Sequence, residues 1–511
     1  MTPNRSMPRH VRIDSLTIVG LLLIGASCRP TPPPAIARPP APAVGATAAQ
    51  PAPAPPAITL FDAARPPVVV APEAMEDQVA FAVADLTNLL ARMTGLPVAL
   101  ETGADAGRAV HVGDVPANRD LQVAARALGR DGFVLDIGGD AGARVLGGSK
   151  FGTAYGVYEL LERLGVRWLA PGEWGEVVPR RETLELVPGR FEDRPVFAIR
   201  QFHAARVGRP FGEWARHMRH NRCGFGGHSG LVAPRHHGQA HPEWYAEVDG
   251  RRRPDATHFK LCHANTGMVA QAVAEVRAAL RKRRDNTNEV VHIGYRHRTS
   301  DYSTLSISPT DGGGFCRCAD CVALGSLSDR LQLFANHVAA SIQDEFPGQQ
   351  IGYYGAYSEH QNPPRVPAHE QVLVLMTSWT KSFFEPLSRP GNRAFREKVA
   401  AFSATCPKLA IRDYDGLSVW WGFGPFTLAD VHAADYAWYH QHGVQGIITE
   451  AHTGWGPWGY SYYLTSKLWW NPSLDLDALK EDYVRSAYGA AVAPMRRYHQ
   501  RLDEAVVYPS P

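Results

Sequence analysis

From Ile58 onward, short apolar runs alternate with segments whose apolar residues recur every three or four positions. Val68–Ala71 reads as a strand, and Val79, Val83, Leu86, Leu90 and Met93 then share one helical face that Gly95 and Pro97 close. Strand-like runs follow at Ala109–Val112, Phe133–Ile137 and Arg144–Leu146, with Gly-rich turns between, and a second helix spans Thr153–Leu164 before Gly165. Beyond Pro195 the alternation becomes regular. VFAIRQFHA precedes a helix over Phe211–Asn221, and TLSISP precedes one over Leu327–Phe346 that carries Leu327, Leu331, Phe334, Val338 and Ile342 on one face. QIGYYGAY, VLVLMTSW, a helix near Phe395–Phe402, KLAIRDY, a helix over Leu428–His440 and VQGIITEAH complete the series. The pattern predicts an α/β protein: an α/β sandwich domain over residues 58–194, then a parallel sheet over 195–511 closed as a (β/α)8, TIM-like barrel. An open doubly wound sheet is the alternative, but no Gly-rich phosphate loop follows the first strand.

The first 57 residues are of another kind. Arg5, Arg9 and Arg12 lead an 11-residue apolar core (Leu16–Ala26) that is too short to span a bilayer and has the form of a signal-peptide core. Gly25, Ala26 and Ser27 run into Cys28, an order that resembles a lipoprotein signal over residues 1–28, with Cys28 the acylated residue; a plain secretory signal with Cys28 incidental is the alternative. Residues 29–57 are almost wholly Pro and Ala and predict a disordered, extended linker rising about 3.1 Å per residue. Export and membrane attachment through that lipid alone follow, in the outer membrane or periplasm, since Arg29 is not the Asp of inner-membrane retention. The net charge of +3 is spread without a basic block, which argues against nucleic acid as a partner.

GGSKFGTAYGVYELLERL (147–164), GVRWLAPGEWGEVVP (165–179) and RPVFAIR (194–200) together resemble the N-terminal domain of α-glucuronidases, shared in looser form with β-hexosaminidases. The resemblance implies a domain that sits beside a catalytic barrel without carrying the chemistry. SPTDGGGFCRCADC (308–321), SDRLQLFANHVA (328–339), AYSEHQNPP (356–364), RDYDG (412–416) and YLTSKLWWNPSLDLDAL (463–479) resemble a bacterial domain of unknown function, number 4838. That family has no settled activity, so the likeness implies no substrate.

Barrels gather function on loops at the carboxyl ends of their strands. Five acidic residues hold such places: Asp311, Glu359, Asp413, Asp415 and Glu450. Glycosidic cleavage uses two carboxyl groups across the bond. The order Glu359, Asp413, Glu450 resembles the α-glucuronidase arrangement, which implies Glu359 as proton donor with Asp413 and Glu450 as the polar core. The plainer alternatives are that Asp413 caps a turn or pairs with Arg412, and that Asp311 only begins an Asp-Gly turn. Trp379, Trp420, Trp421, Trp455 and Trp458 lie past strand ends where rings can stack on sugars, with Tyr357 and Tyr414 beside them; Trp469 and Trp470 read as packing. Arg200, His203, Arg206, His228, Arg235, His236, His237 and His241 crowd the early loops, and arginine there would suit a uronate.

Cys262, Cys316, Cys318 and Cys321 form the remaining cluster, CRCADC supplying three of them. The tight spacing suits a closed structural zinc site, while export favours a disulfide from Cys262; both stay open. Catalysis would need no cofactor. The sequence thus predicts a glycoside hydrolase acting on a carbohydrate with uronic acids, or else a non-catalytic surface glycan-binding lipoprotein. A metalloprotein scaffold resting on the cysteines alone is a third alternative.

Overall fold

The computed structural model describes residues 56–505 except 104–106, 139, 204–208, 222, 226, 287–288, 293–294, 299–300, 302, 415–426 and 452–453. Cys28 and the Pro/Ala linker up to residue 55, like Arg206, Asp415, Trp420 and Trp421, lie outside the described residues.

Residues 55–511 form one compact unit built on two sheets. The first contains β1 (Val68–Ala71), β2 (Ala99–Thr102), β3 (Ala109–Val112), β4 (Phe133–Gly138), β5 (Gly142–Gly147) and β6 (Gly189–Asp193), in the order β6-β4-β5-β3-β1-β2. Its centre is parallel, and β4 and β6 add an antiparallel edge. Helices α1 (Asp77–Thr94) and α2 (Lys150–Arg163) cover it, and the α1 stripe predicted from its spacing is buried. Ser149 caps α2 by accepting from Phe151 N–H.

The second sheet has six parallel strands: β7 (Ile199–His203), β8 (Thr304–Ser306), β9 (Gln350–Gly355), β10 (Val372–Thr377), β11 (Leu409–Asp413) and β12 (Val444–Glu450), ordered β7-β12-β11-β10-β9-β8. The gap between β7 and β8 is crossed by a segment that includes Asn221, Cys223 and Ser229. Asn221 N–H donates to Arg200 (3.0 Å), Thr304 N–H to Cys223 (2.7 Å) and Ser229 N–H to Ser308 (2.9 Å). The sheet is therefore a TIM-like barrel, although among the described residues six regular strands, not eight, build it. Helices α3 (Arg209–His217), α4 (Thr266–Asp285), α5 (Leu327–Ile342), α6 (Arg393–Thr405), α7 (Ala429–Gln441) and α8 (Trp455–Trp470) follow in chain order.

Strand residues alternate between two layers. Ile199, Tyr354, Leu373, Leu375, Ala410 and Ile448 fill the lumen with Cys223 and Phe225. The residues between them, such as Tyr353, Val374, Ile411 and Ile447, belong to one large outer core that runs on without a break into the first sheet. Arg200 has this outer parity. Its guanidinium is 1% exposed, donates to Asp131 Oδ2 (2.8 Å) and to the carbonyls of Phe197 and Arg219, and lies over Trp470. It ties the barrel to the first sheet, which corrects the expectation that it meets a substrate.

Candidate active site at the barrel mouth

Register decides which strand-end groups face the lumen. Arg412 stands two positions beyond Ala410, and Glu450 two beyond Ile448; both therefore point inward, and the Arg412 guanidinium donates to Glu450. His203 pairs in register with Glu450 on the adjacent strand. Arg412 also lies 5.8 Å from the Tyr354 ring, and its Nη1, fully buried, has no hydrogen-bond acceptor among the described residues.

From Tyr354 the site continues across the mouth. The Tyr354 and Tyr357 rings are 5.6 Å apart, His228 lies within 5.5 Å of both, and the Tyr357 hydroxyl donates to Asp311. His228 Nδ1 is 2.6 Å from the Pro309 carbonyl, leaving Nε2 on the side of Asp311 at 3.8 Å. The Tyr357 hydrogen bond holds the Asp311 carboxyl below the usual carboxylate range, outweighing partial burial. Burial and then Asp311 push the Tyr357 phenol up, and burial does the same to Tyr354 and Tyr414 although Arg412 opposes it. The field of Glu450 reaches all three phenols, so Asp311, Glu450 and the tyrosines share one site. Trp379 stacks on Tyr414 at 4.9 Å and is 43% exposed.

The other carboxylates are placed differently. Asp413 has the outer parity of Leu409 and Ile411 and is fully buried. It accepts from Ser378 Oγ (2.7 Å) and faces Lys381 Nζ (3.3 Å), which also meets Asp435 (2.8 Å) on α7. Asp413 thus sits behind the lumen in a buried charge triad, which corrects its expected place in the polar core; its predicted partner Arg412 pairs with Glu450 instead. Glu359 is exposed on the loop after β9 and accepts from Gly314 N–H (2.7 Å), closing the Gly-rich loop that carries Asp311. Ala356 and Ser358 flank Tyr357 with φ of 50° and 51°, strained values for residues with a side chain. Trp455 is buried against Trp214 (4.7 Å), Phe211 and Tyr462, so it packs α8 and offers no sugar platform; Trp458 is buried too. His237 pairs with Glu275 on α4 and His241 stacks on Trp244, both apart from the Arg412 group.

The sequence model of the domain of unknown function (DUF4838) matches residues 170–500. The chain belongs to that family. The model of the glycosyl hydrolase family 67 N-terminus matches residues 61–160, as the resemblance implied. No curated protein sequence matches. Among solved structures, a family-115 4-O-methyl-α-glucuronidase with specificity for decorated arabinogalactans is similar at 14% identity and a TM-score of 0.53, over 85% of this chain and 61% of that one. A Flavobacterium johnsoniae chitobiase (12% identity, TM-score 0.47, 87% and 70% covered) and a Streptomyces plicatus N-acetyl-β-hexosaminidase (15%, 0.46, 90% and 94%) are also similar. The first of these likenesses is one of fold, and the DUF4838 chain spans 61% of the α-glucuronidase's length.

Beside the mouth of this DUF4838 barrel, Cys262, Cys316, Cys318 and Cys321 converge as four buried free thiols whose sulfurs all lie within 4.8 Å of one another. Lys260, two residues before Cys262, is a site residue that spacing alone did not single out. Its ammonium donates to the Asp311 carbonyl (2.7 Å) and to that of His258 (2.9 Å), and burial pushes its pKa down to about 8 against the pull of Asp311 and Glu359. Two clefts lie away from the mouth. One of about 600 Å³ between α1 and α3 spends its charges on the pairs Asp85–His217 and Arg92–Glu176; one of about 490 Å³ at the carboxyl ends of β1, β3 and β5 has its Lys150 held by Asp77 and Asp301.

Proposed function

We propose that this DUF4838 protein is a glycoside hydrolase whose substrate is a poly- or oligosaccharide bearing uronic acid. The observation that carries the reading is the lumen-facing Arg412 and Glu450 pair, whose Arg412 Nη1 meets no acceptor among the described residues and whose neighbour Tyr414 stacks with Trp379. Arg412 would hold the sugar carboxylate with charge-assisted hydrogen bonds, and Trp379 on Tyr414 would stack on a sugar face. Glu450 is then the base or nucleophile on one side of the bond. Glu359 is the carboxyl group on the opposite wall from which the leaving oxygen takes its proton, and Asp311, kept ionised by Tyr357, lines the site beside it. Asp413 supports this reading as a positioning residue that anchors the end of β11, which carries Arg412, through Lys381. The family 67 N-terminus match and the α-glucuronidase-like fold agree with the substrate class.

Residues 58–194 are then an accessory domain and 195–511 the catalytic one, exported and lipid-anchored at Cys28 behind the linker of residues 29–57. The four thiols serve a structural metal outside the chemistry, and the reaction itself needs no cofactor.

The test is a pair of oligosaccharides identical but for a terminal uronic acid or its neutral counterpart, incubated with the wild-type chain and with Arg412→Lys. Losing a charge-assisted hydrogen bond to the sugar carboxylate costs about 1.5–3 kcal/mol, so kcat/KM for the acidic substrate should fall roughly 10- to 100-fold in the variant. Equal turnover of both sugars by both proteins contradicts the uronate assignment. Tight binding of the acidic sugar with no cleavage would instead make the protein a glycan-binding lipoprotein.

A further inference from the structure

The four thiols do more than lie close together. Cys262 Sγ is 3.7 Å from the sulfurs of both Cys318 and Cys321, and Cys316 Sγ is 3.4 Å from that of Cys318. A tetrahedron of sulfurs each about 2.3 Å from a zinc ion has edges of about 3.8 Å. A disulfide would draw one pair together to about 2 Å and leave the others apart. The cage is therefore shaped for one ion, and thiolate sulfur in a tetrahedral set selects zinc among common divalent ions.

The surroundings suit the charge such a centre carries. Four thiolates around a divalent cation leave two negative charges, and the four displaced protons go to solvent. Glu247 N–H donates to Cys316 Sγ (3.3 Å), and Arg252 Nη1 lies 3.6 Å from the same sulfur. Ala246, Val248 and Ala264 pack round the cage and keep water from it.

The cage also joins the two segments that build the Asp311 wall. Cys262 precedes α4, whereas the other three cysteines end the loop that starts at Asp311. That loop contains Gly312 and Gly314 at φ of 74° and 87°, so its own backbone does little to hold one shape. Toward the mouth the same two segments meet again, where Lys260 donates to the Asp311 carbonyl and the Thr310 hydroxyl to Phe259.

Resting on the reading of the thiols as a metal cage, we infer that Cys262, Cys316, Cys318 and Cys321 hold a single zinc ion and that this ion fixes the loop presenting Asp311 to the barrel mouth. The ion acts as a positioning element for the site and takes no part in bond cleavage.

The test uses the full chain purified under reducing conditions. Elemental analysis should find one zinc per chain, and replacement by cobalt should give the intense visible bands of a tetrahedral tetrathiolate centre. Cys262→Ser and Cys318→Ser should each lose both. A metal-free chain with its four cysteines in disulfides overturns the metal reading itself. The positioning claim is read separately, by hydrogen exchange before and after chelation. Amides of residues 310–318 should lose at least tenfold protection while those of β10 to β12 keep theirs. Loss of zinc with unchanged exchange at 310–318, or with loss of protection throughout the barrel, overturns it. This readout holds whether or not the chain proves to cleave glycosides.

Discussion

Asp413 and Glu450 end adjacent strands, and strand parity gives them opposite surroundings. Glu450 follows the lumen residue Ile448, and Asp413 follows the outer-core residue Ile411. Glu450→Gln keeps a side chain that can still meet Arg412, so it should lower turnover by about 10²- to 10⁴-fold with little change in melting temperature. Asp413→Ala takes a carboxylate partner from the buried Lys381 ammonium, and should cost about 3–5 kcal/mol of stability in a denaturant titration. An Asp413→Ala protein as stable as the wild type would mean that the triad is not what holds β11. The sequence showed that carboxylates end these strands. It did not show which way each points, because a one-residue error in register exchanges lumen for outer layer. Trp455 escaped for a related reason: it opens a helix, where the same residue type packs against Trp214.

At the scale of elements the hydrophobic pattern was legible. The expected α5 over Leu327–Phe346 ends at Ile342, and the expected Phe395–Phe402 helix runs from Arg393 to Thr405. What the pattern missed is the stretch between β7 and β8, where an irregular crossing segment replaces a strand and hydrogen bonds, not periodicity, close the barrel. Helix α5 begins with a reciprocal cap between Ser326 and Asp329. Burial works against the Asp329 carboxylate, but Arg365 and the backbone donors outweigh it and hold its pKa at about 2, below an unfolded value of 3.8. A depressed carboxylate pKa means stability that is present above the unfolded value and lost as pH falls from about 4 toward 2. Asp329→Ala should flatten that part of the stability curve and cost about 1 kcal/mol at neutral pH, as a cap does. A variant whose acid unfolding matches the wild type would contradict this.

Over the whole molecule, the first sheet and the barrel behave as one body because their shared core is stitched by charge. Arg200 reaches Asp131, and Arg219 reaches both Glu159 and Glu162 on α2, the last also held by Lys467 from α8. Asp131→Ala leaves the Arg200 guanidinium buried without its counter-charge, and should destabilise both sheets together by about 3 kcal/mol or more, with a single unfolding transition. Two separate transitions would show that the sheets fold independently. The proposed chemistry is cleavage of a glycosidic bond next to a uronic acid by the Glu450 and Arg412 group at the barrel mouth. The most direct measurement is single-turnover release of sugar from a uronic-acid-capped oligosaccharide by the wild type and by Glu450→Gln, with binding followed by calorimetry in the same samples. This chemistry predicts cleavage by the wild type, and binding without cleavage by the variant. Equal cleavage by both proteins, or none by either, would contradict it.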